Sequence, residues 1–139
     1  MIKLIASDID GTLVENSTAV LHPEMFDLIR KLKQKGILFC AASGRQYQSI
    51  ANMFEPVKDD IIFLAENGAH IRYQGNDIAL VEMKREHIEE IVHTIRRENT
   101  DGDYIVSTND GSIMDTKNQE FIDLITYGYE IGSESVAFN

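Results

Sequence analysis

Two aspartates separated by one residue, Asp8-Ile9-Asp10, followed at once by Gly11-Thr12, are the part of this chain best suited to chemistry. They come directly after the apolar run Ile2-Lys3-Leu4-Ile5-Ala6, which reads as a buried strand ending in a glycine turn. Side chains two apart on a strand point to the same side, so both carboxylates are expected to face one small volume. Two acids held that close repel unless a cation, a phosphate-binding shell or a proton lies between them. A Mg²⁺-dependent phosphoryl-transfer site asks for such a pair: one carboxylate to attack phosphorus and bind the metal, the other to handle protons.

Two more polar clusters follow apolar runs in the same way. Ser43-Gly44-Arg45 comes after residues 37–42, and Glu66-Asn67-Gly68 after residues 61–65. Ligands of open α/β sheets bind beyond the carboxyl ends of the strands, so all three clusters are expected along one rim. Ser43 and the Gly44 N–H precede a predicted helix, where free amides and the helix dipole favour an anion. Gly44 leaves out a side chain that would block a phosphate, and Arg45 can pair with a charged or polyhydroxylated substrate. Taken singly, Ser43-Gly44 also reads as an ordinary strand-to-helix turn, Arg45 as a solvated first-turn residue, and Asn67-Gly68 as a turn favouring positive φ.

The elements that must position these groups are legible as pattern. Continuous apolarity over residues 2–7, 37–42 and 61–65 predicts parallel strands with helices on their faces. A helix between the first two strands has Pro23 near its first turn, Gly36 past its end, and the stripe Met25, Leu28, Ile29, Leu32. A second helix after Arg45 carries Tyr47, Ile50, Ala51 and Phe54 and stops at Pro56. The order β-α-β-α-β is that of a doubly wound α/β sheet. Residues 69–73 and 78–82 then predict a hairpin around Gln74-Gly75-Asn76-Asp77. Beyond it come a helix over 85–97 with Ile88, Ile91, Val92 and Ile95 on one face, a strand pair turning at Asn109-Asp110-Gly111, and a last helix turning Phe121, Leu124 and Ile125 inward. This second part is expected to be a separate α+β unit.

Composition sets limits on partners. The 139 residues suit one modest domain, and the 43% hydrophobic share supports a packed core. A net charge of −10 argues against nucleic acid or an anionic membrane, both of which need a basic footprint. No apolar run reaches the roughly 18 residues of a membrane span. Asp8 and Asp10 interrupt the N-terminal apolar stretch, so no secretion signal is visible and a cytoplasmic location is expected. The single cysteine, Cys40, agrees with a reducing compartment and reads as core filler. Asn16-Ser17-Thr18 matches a glycosylation acceptor but carries no meaning without such a signal. His22, His70, His87 and His93 lack metal-ligand spacing and are expected to be surface or partly buried, and Glu86, Glu89 and Glu90 a solvated helix face.

Asp8-Ile9-Asp10-Gly11-Thr12 resembles the first motif of the haloacid dehalogenase superfamily of phosphohydrolases, and Ala42-Ser43-Gly44-Arg45 resembles its second. Glu66-Asn67-Gly68-Ala69 with its hairpin resembles the Cof-like sugar-phosphatase subgroup, in which a large α/β cap is inserted after the third strand. The resemblance implies a Rossmann-like doubly wound parallel sheet, with residues 1–80 the N-terminal part of the core and 81–139 part of an α+β cap. It implies that Asp8 is the nucleophile and a Mg²⁺ ligand. Asp10 would protonate the leaving oxygen, activate the water, and bind the metal through its backbone carbonyl. Gly11 and Thr12 would let the backbone wrap the transferring group, Ser43 and Gly44 would hold phosphate oxygens, and Arg45 and Asn67 would face substrate. The implied substrate is a small phosphorylated sugar or related metabolite. A phosphomutase and a non-catalytic binding or regulatory module are the alternatives.

The family's third motif, a lysine, and its fourth, Gly-Asp-x-x-Asn-Asp, have no counterpart before Asn139. Gly102-Asp103 and Asn109-Asp110 stand too far apart to replace the fourth. The chain is therefore expected to be the N-terminal half of such a phosphatase, with weak Mg²⁺ binding and little or no turnover by itself. Its first strand, central in the family's sheet, is expected to be an apolar edge covered by another copy or a swapped partner.

Overall fold

The three apolar runs become three parallel strands, β1 (Leu4–Asp8), β2 (Leu38–Ala42) and β3 (Ile61–Ala65). The structure is a computed structural model and describes residues 1–14, 20–98, 102–108, 111–128 and 133–135. The acceptor pattern at residues 16–18 and the predicted turn residues Asn109 and Asp110 lie outside the described residues. Asp8 pairs with Ala42 and Ala42 with Leu64, so the three strands end level along one rim. Two antiparallel strands, β4 (His70–Tyr73) and β5 (Asn76–Leu80), extend the sheet to the order β1-β2-β3-β4-β5.

The helices α1 (Glu24–Gln34) and α2 (Tyr47–Met53) return the chain between parallel strands, and a 3₁₀ segment over Glu55–Asp60 with Pro56 in its first turn leads into β3. Ile29 of α1 and Ile50 of α2 pack with Phe39, Ala41, Ile61, Phe63 and Ala65 in one core. Phe54, fully buried, sets its ring 6.3 Å from Phe39 and 6.4 Å from Phe63. Burying one such ring contributes about 1.5–3 kcal/mol. The opposite sheet face, carrying Leu38, Ile62 and Leu64, is only half-buried.

Several expected details differ. The first strand begins at Leu4 rather than Ile2, and both side chains are exposed; among the described residues β1 pairs only with β2. Leu28 points out of α1, because Phe26 joins Met25, Ile29 and Leu32 on the inward face and rotates it away from Leu28. The hairpin turn has two residues, not four: Tyr73 pairs with Asn76 across Gln74 (φ 50°) and Gly75 (φ 76°), the two positive φ values of a type I′ turn.

Contacts divide the chain into two units, Met1–Val81 and Glu82–Asn139. The second contains α3 (Arg85–Arg97), β6 (Ile105–Thr108), β7 (Gly111–Met114), α4 (Gln119–Asp123) continued by a π turn over Leu124–Gly128, and β8 (Ser133–Ser135). Its sheet order is β6-β7-β8, with β6 antiparallel and β8 parallel to β7. Val92 is the buried residue of α3, whereas Ile91 faces solvent. Met114 and Ile125 pack with Phe121 and Ile122; Leu124, expected inside, is exposed because the last helix turns its Ile122 side inward. Asn118 caps α4 by accepting the Phe121 N–H, and Arg96 ties α3 to Asp115 at 2.5 Å.

Candidate active site

The loop after β1 is built around one buried residue. Asp8, the last residue of β1, and Asp10, in the loop beyond it, are exposed while Ile9 between them has no exposed surface, so both acids lie on the side away from the core. The Ile9 carbonyl accepts the N–H groups of Thr12 (3.2 Å), Leu13 (2.9 Å) and Val14 (3.1 Å), and Gly11 N–H donates to the Val14 carbonyl (2.9 Å). That closure needs φ +76° at Gly11, which glycine adopts without a steric cost. Asp8 Oδ1 accepts the Ile9 N–H at 2.9 Å.

The other two turns are joined to each other through their backbones. Ser43 N–H donates to the Leu64 carbonyl (2.9 Å), Asn67 N–H to the Ser43 carbonyl (3.2 Å), and Glu66 N–H to the Arg45 carbonyl (3.0 Å). Ser43 Oγ accepts the Arg45 N–H at 3.1 Å. Glu66, Asn67 and Gly68 all have positive φ, at 51°, 55° and 95°. Left-handed backbone costs an L-residue about 1–2 kcal/mol, least for asparagine, and the cross-turn hydrogen bonds, at about 1 kcal/mol net each, offset it. A β-carbon at Gly44 would press on the Asn67 carboxamide, which would have to give by a few tenths of an ångström.

Arg45 connects these turns to the β1 loop. Its Nε donates to Asp10 Oδ2 (3.1 Å) and its Nη2 to Asp10 Oδ1 (2.7 Å), a two-pronged ion pair. The sequence pointed this guanidinium at substrate; in the structure two of its nitrogens pair with Asp10. The remaining expected residues do gather at the rim: Asp8, Asp10 and Gly11 after β1, Ser43 and Gly44 after β2, and Asn67 after β3. Thr12 lies in the loop closed on Ile9.

Sequence reasoning missed a polar cluster behind the Glu66–Gly68 turn. His70, buried, places Nε2 2.7 Å from Asp77 Oδ1, and its ring centre is 5.5 Å from that of Tyr47. Arg72 lies over the Tyr47 ring at 4.7 Å and sets Nε 3.3 Å from Asp77. The His70 hydrogen bond, helped by Arg72, holds the Asp77 carboxyl below its usual range. No linear spacing could have signalled this group, which assembles across a hairpin. Cys40 is buried, which pushes its thiol pKa up and suits a packing role.

Among the described residues no group of three or more His, Cys, Asp or Glu could hold a metal. Mg²⁺ keeps several waters and uses one or two carboxylates plus substrate phosphate oxygens, so the exposed carboxylates of Asp8 and Asp10 would suit it without a larger cluster. No helix among the described residues is long and apolar enough to cross a membrane.

The family model for haloacid dehalogenase-like hydrolases matches residues 5–135. The 5-amino-6-(5-phospho-D-ribitylamino)uracil phosphatase YbjI of Escherichia coli is 32% identical over 97 residues, which are 69% of this chain and 36% of that protein. A phosphoglycolate phosphatase of Sulfolobus acidocaldarius is 34% identical over 76 residues, 54% of this chain and 34% of that one. A haloacid dehalogenase-like hydrolase structure from B. subtilis superimposes with a TM-score of 0.73 at 27% identity, covering 88% of this chain and 42% of its own. A crystal structure from Eubacterium rectale gives 0.86 at 29% identity, covering 99% and 52%. The chain thus spans about a third of the length of the curated relatives it matches.

Proposed function

Because the chain belongs to the haloacid dehalogenase-like hydrolase family, we propose that it carries the nucleophile and phosphate-binding half of a Mg²⁺-dependent phosphomonoesterase. Asp8 attacks phosphorus, and the bond from phosphorus to the ester oxygen breaks as Asp10 gives that oxygen a proton. A water molecule then loses a proton to Asp10 and attacks the aspartyl-phosphate, releasing inorganic phosphate and restoring both side chains. Ser43 and the Gly44 N–H hold the phosphate oxygens, Asn67 faces the substrate, and the Gly11-Thr12 turn wraps the transferring group. Mg²⁺, held by the Asp8 carboxylate and the Asp10 carbonyl, would neutralise the charge that Asp8 and the phosphate share.

The observation that carries this reading is the alternation at the end of β1: two exposed acids flanking a fully buried Ile9, at the rim where β2 and β3 also end. The substrate class is a small phosphorylated sugar or metabolite, supported by relatives named as phosphatases of a phosphoribitylamino-uracil and of phosphoglycolate. The acidic net charge disfavours nucleic acid. We read Met1–Val81 as part of the catalytic core and Glu82–Asn139 as part of a cap, in a protein of the reducing cytoplasm. The test is p-nitrophenyl phosphate with Mg²⁺, on this chain and on Asp8→Asn. A slow, Mg²⁺-dependent release of p-nitrophenol that the substitution abolishes is expected. A measurable rate that the substitution leaves unchanged would sink the reading.

A further inference from the structure

We infer that Arg45 is a positioning residue for Asp10 and not a ligand of the substrate; this rests on the phosphatase reading, in which Asp10 moves the protons. The two residues lie 35 positions apart in sequence and meet through both guanidinium edge donors and both carboxylate oxygens, at 3.1 and 2.7 Å. A carboxylate offers about four lone-pair directions on its two oxygens. The fork takes one on each and leaves one on each for a proton or a water. Orientation is thereby fixed without using up acid–base capacity.

Burial separates the two roles. The Arg45 side chain is 6% exposed and that of Asp10 43%. The cation is the anchored member: its own N–H donates to Ser43 Oγ and its carbonyl accepts the Glu66 N–H. The carboxylate is the member presented at the opening. Arg45 also belongs by its backbone to the turn assigned to phosphate, so one residue sets both the phosphate cradle and the direction of Asp10. Lysine would keep the charge but lack the planar fork, which makes it the substitution that tests orientation alone.

The experiment compares the full chain with Arg45→Lys, Asp10→Asn and the double variant, using p-nitrophenyl phosphate and Mg²⁺. Arg45→Lys is expected to lower kcat about tenfold with KM within about twofold, and to add nothing once Asp10 is Asn. A raised KM at unchanged kcat, the mark of a substrate ligand, overturns the inference. So do losses that multiply in the double variant, as a merely structural arginine would give. Hydrogen exchange at the Arg45 Nε–H, followed by NMR, is expected to be slow in the unsubstituted chain and fast in Asp10→Asn; equal exchange overturns the inference whether or not the protein turns over. The phosphatase reading fails separately, if a measurable rate survives Asp8→Asn unchanged; where the unsubstituted chain shows no turnover, as half of such an enzyme can, the exchange measurement decides the clamp.

Discussion

The carboxamide of Asn67 lies against the α-carbon of Gly44, so close that a β-carbon built there would stand 3.1 Å from Oδ1 and 3.3 Å from Nδ2. Gly44→Ala therefore displaces Asn67 by a few tenths of an ångström while leaving the core untouched. Its kcat/KM with p-nitrophenyl phosphate is expected to fall about tenfold, since small misplacements at a reacting centre are costly. Stability should stay within about 1 kcal/mol. Steady-state kinetics beside thermal melts check both.

Metal dependence should be readable without turnover. Adding Mg²⁺ to about ten times its dissociation constant stabilises a protein that binds it only when folded by about 1.4 kcal/mol. A rise in melting temperature along a Mg²⁺ titration is expected, and Asp8→Asn should remove it, because that substitution takes away the carboxylate donor. EDTA should abolish any release of p-nitrophenol.

The hairpin offers a stability test remote from the site. Gln74 sits at φ 50° in the first central position of a type I′ turn, where asparagine is favoured over glutamine. Gln74→Asn is expected to stabilise by about 0.5–1 kcal/mol, a melting-temperature rise of a few degrees. Differential scanning calorimetry would show it. An unchanged or lower midpoint would mean that the turn carries less strain than its backbone angles imply.

Asp77 gives a pH dependence of defined sign. His70 holds its carboxyl below the ordinary value by hydrogen bonding, and Arg72 adds to the effect. A folded pKa below the unfolded one means stabilisation that is present above about pH 4 and lost as pH falls through the folded value. Melting temperatures between about pH 6 and pH 2 should drop less steeply for Asp77→Asn than for the unsubstituted chain. The groups facing Asp77 are His70 and Arg72, with Tyr47 beneath them. Parallel curves would remove Asp77 from the account.

Much of this was readable in advance for a simple reason. Residues 38–42 and 61–65 are apolar throughout, and strands buried in a parallel sheet leave few other readings of such runs. The three polar clusters were legible as neighbours at the rim because each directly follows one of those runs. What escaped was pairing across distance. Arg45 and Asp10 are too far apart in sequence for any spacing rule, and His70 meets Asp77 diagonally across the β4–β5 pairing, beside a register shift between Ile71 and Arg72. On α1 the apolar period left two neighbouring faces open, and Phe26 decided against Leu28. The strand over Ser133–Ser135 has none of the β-branched or aromatic residues that would announce it.

Ile9, sealed among the same side chains that surround Ile29 and Phe54, holds the two acids on either side of it as an axle holds a pair of wheels. Any loosening of the interior reaches both carboxylates at once. On the phosphatase reading, heating should therefore end p-nitrophenol release several degrees before far-ultraviolet ellipticity changes, while helices and strands are still intact.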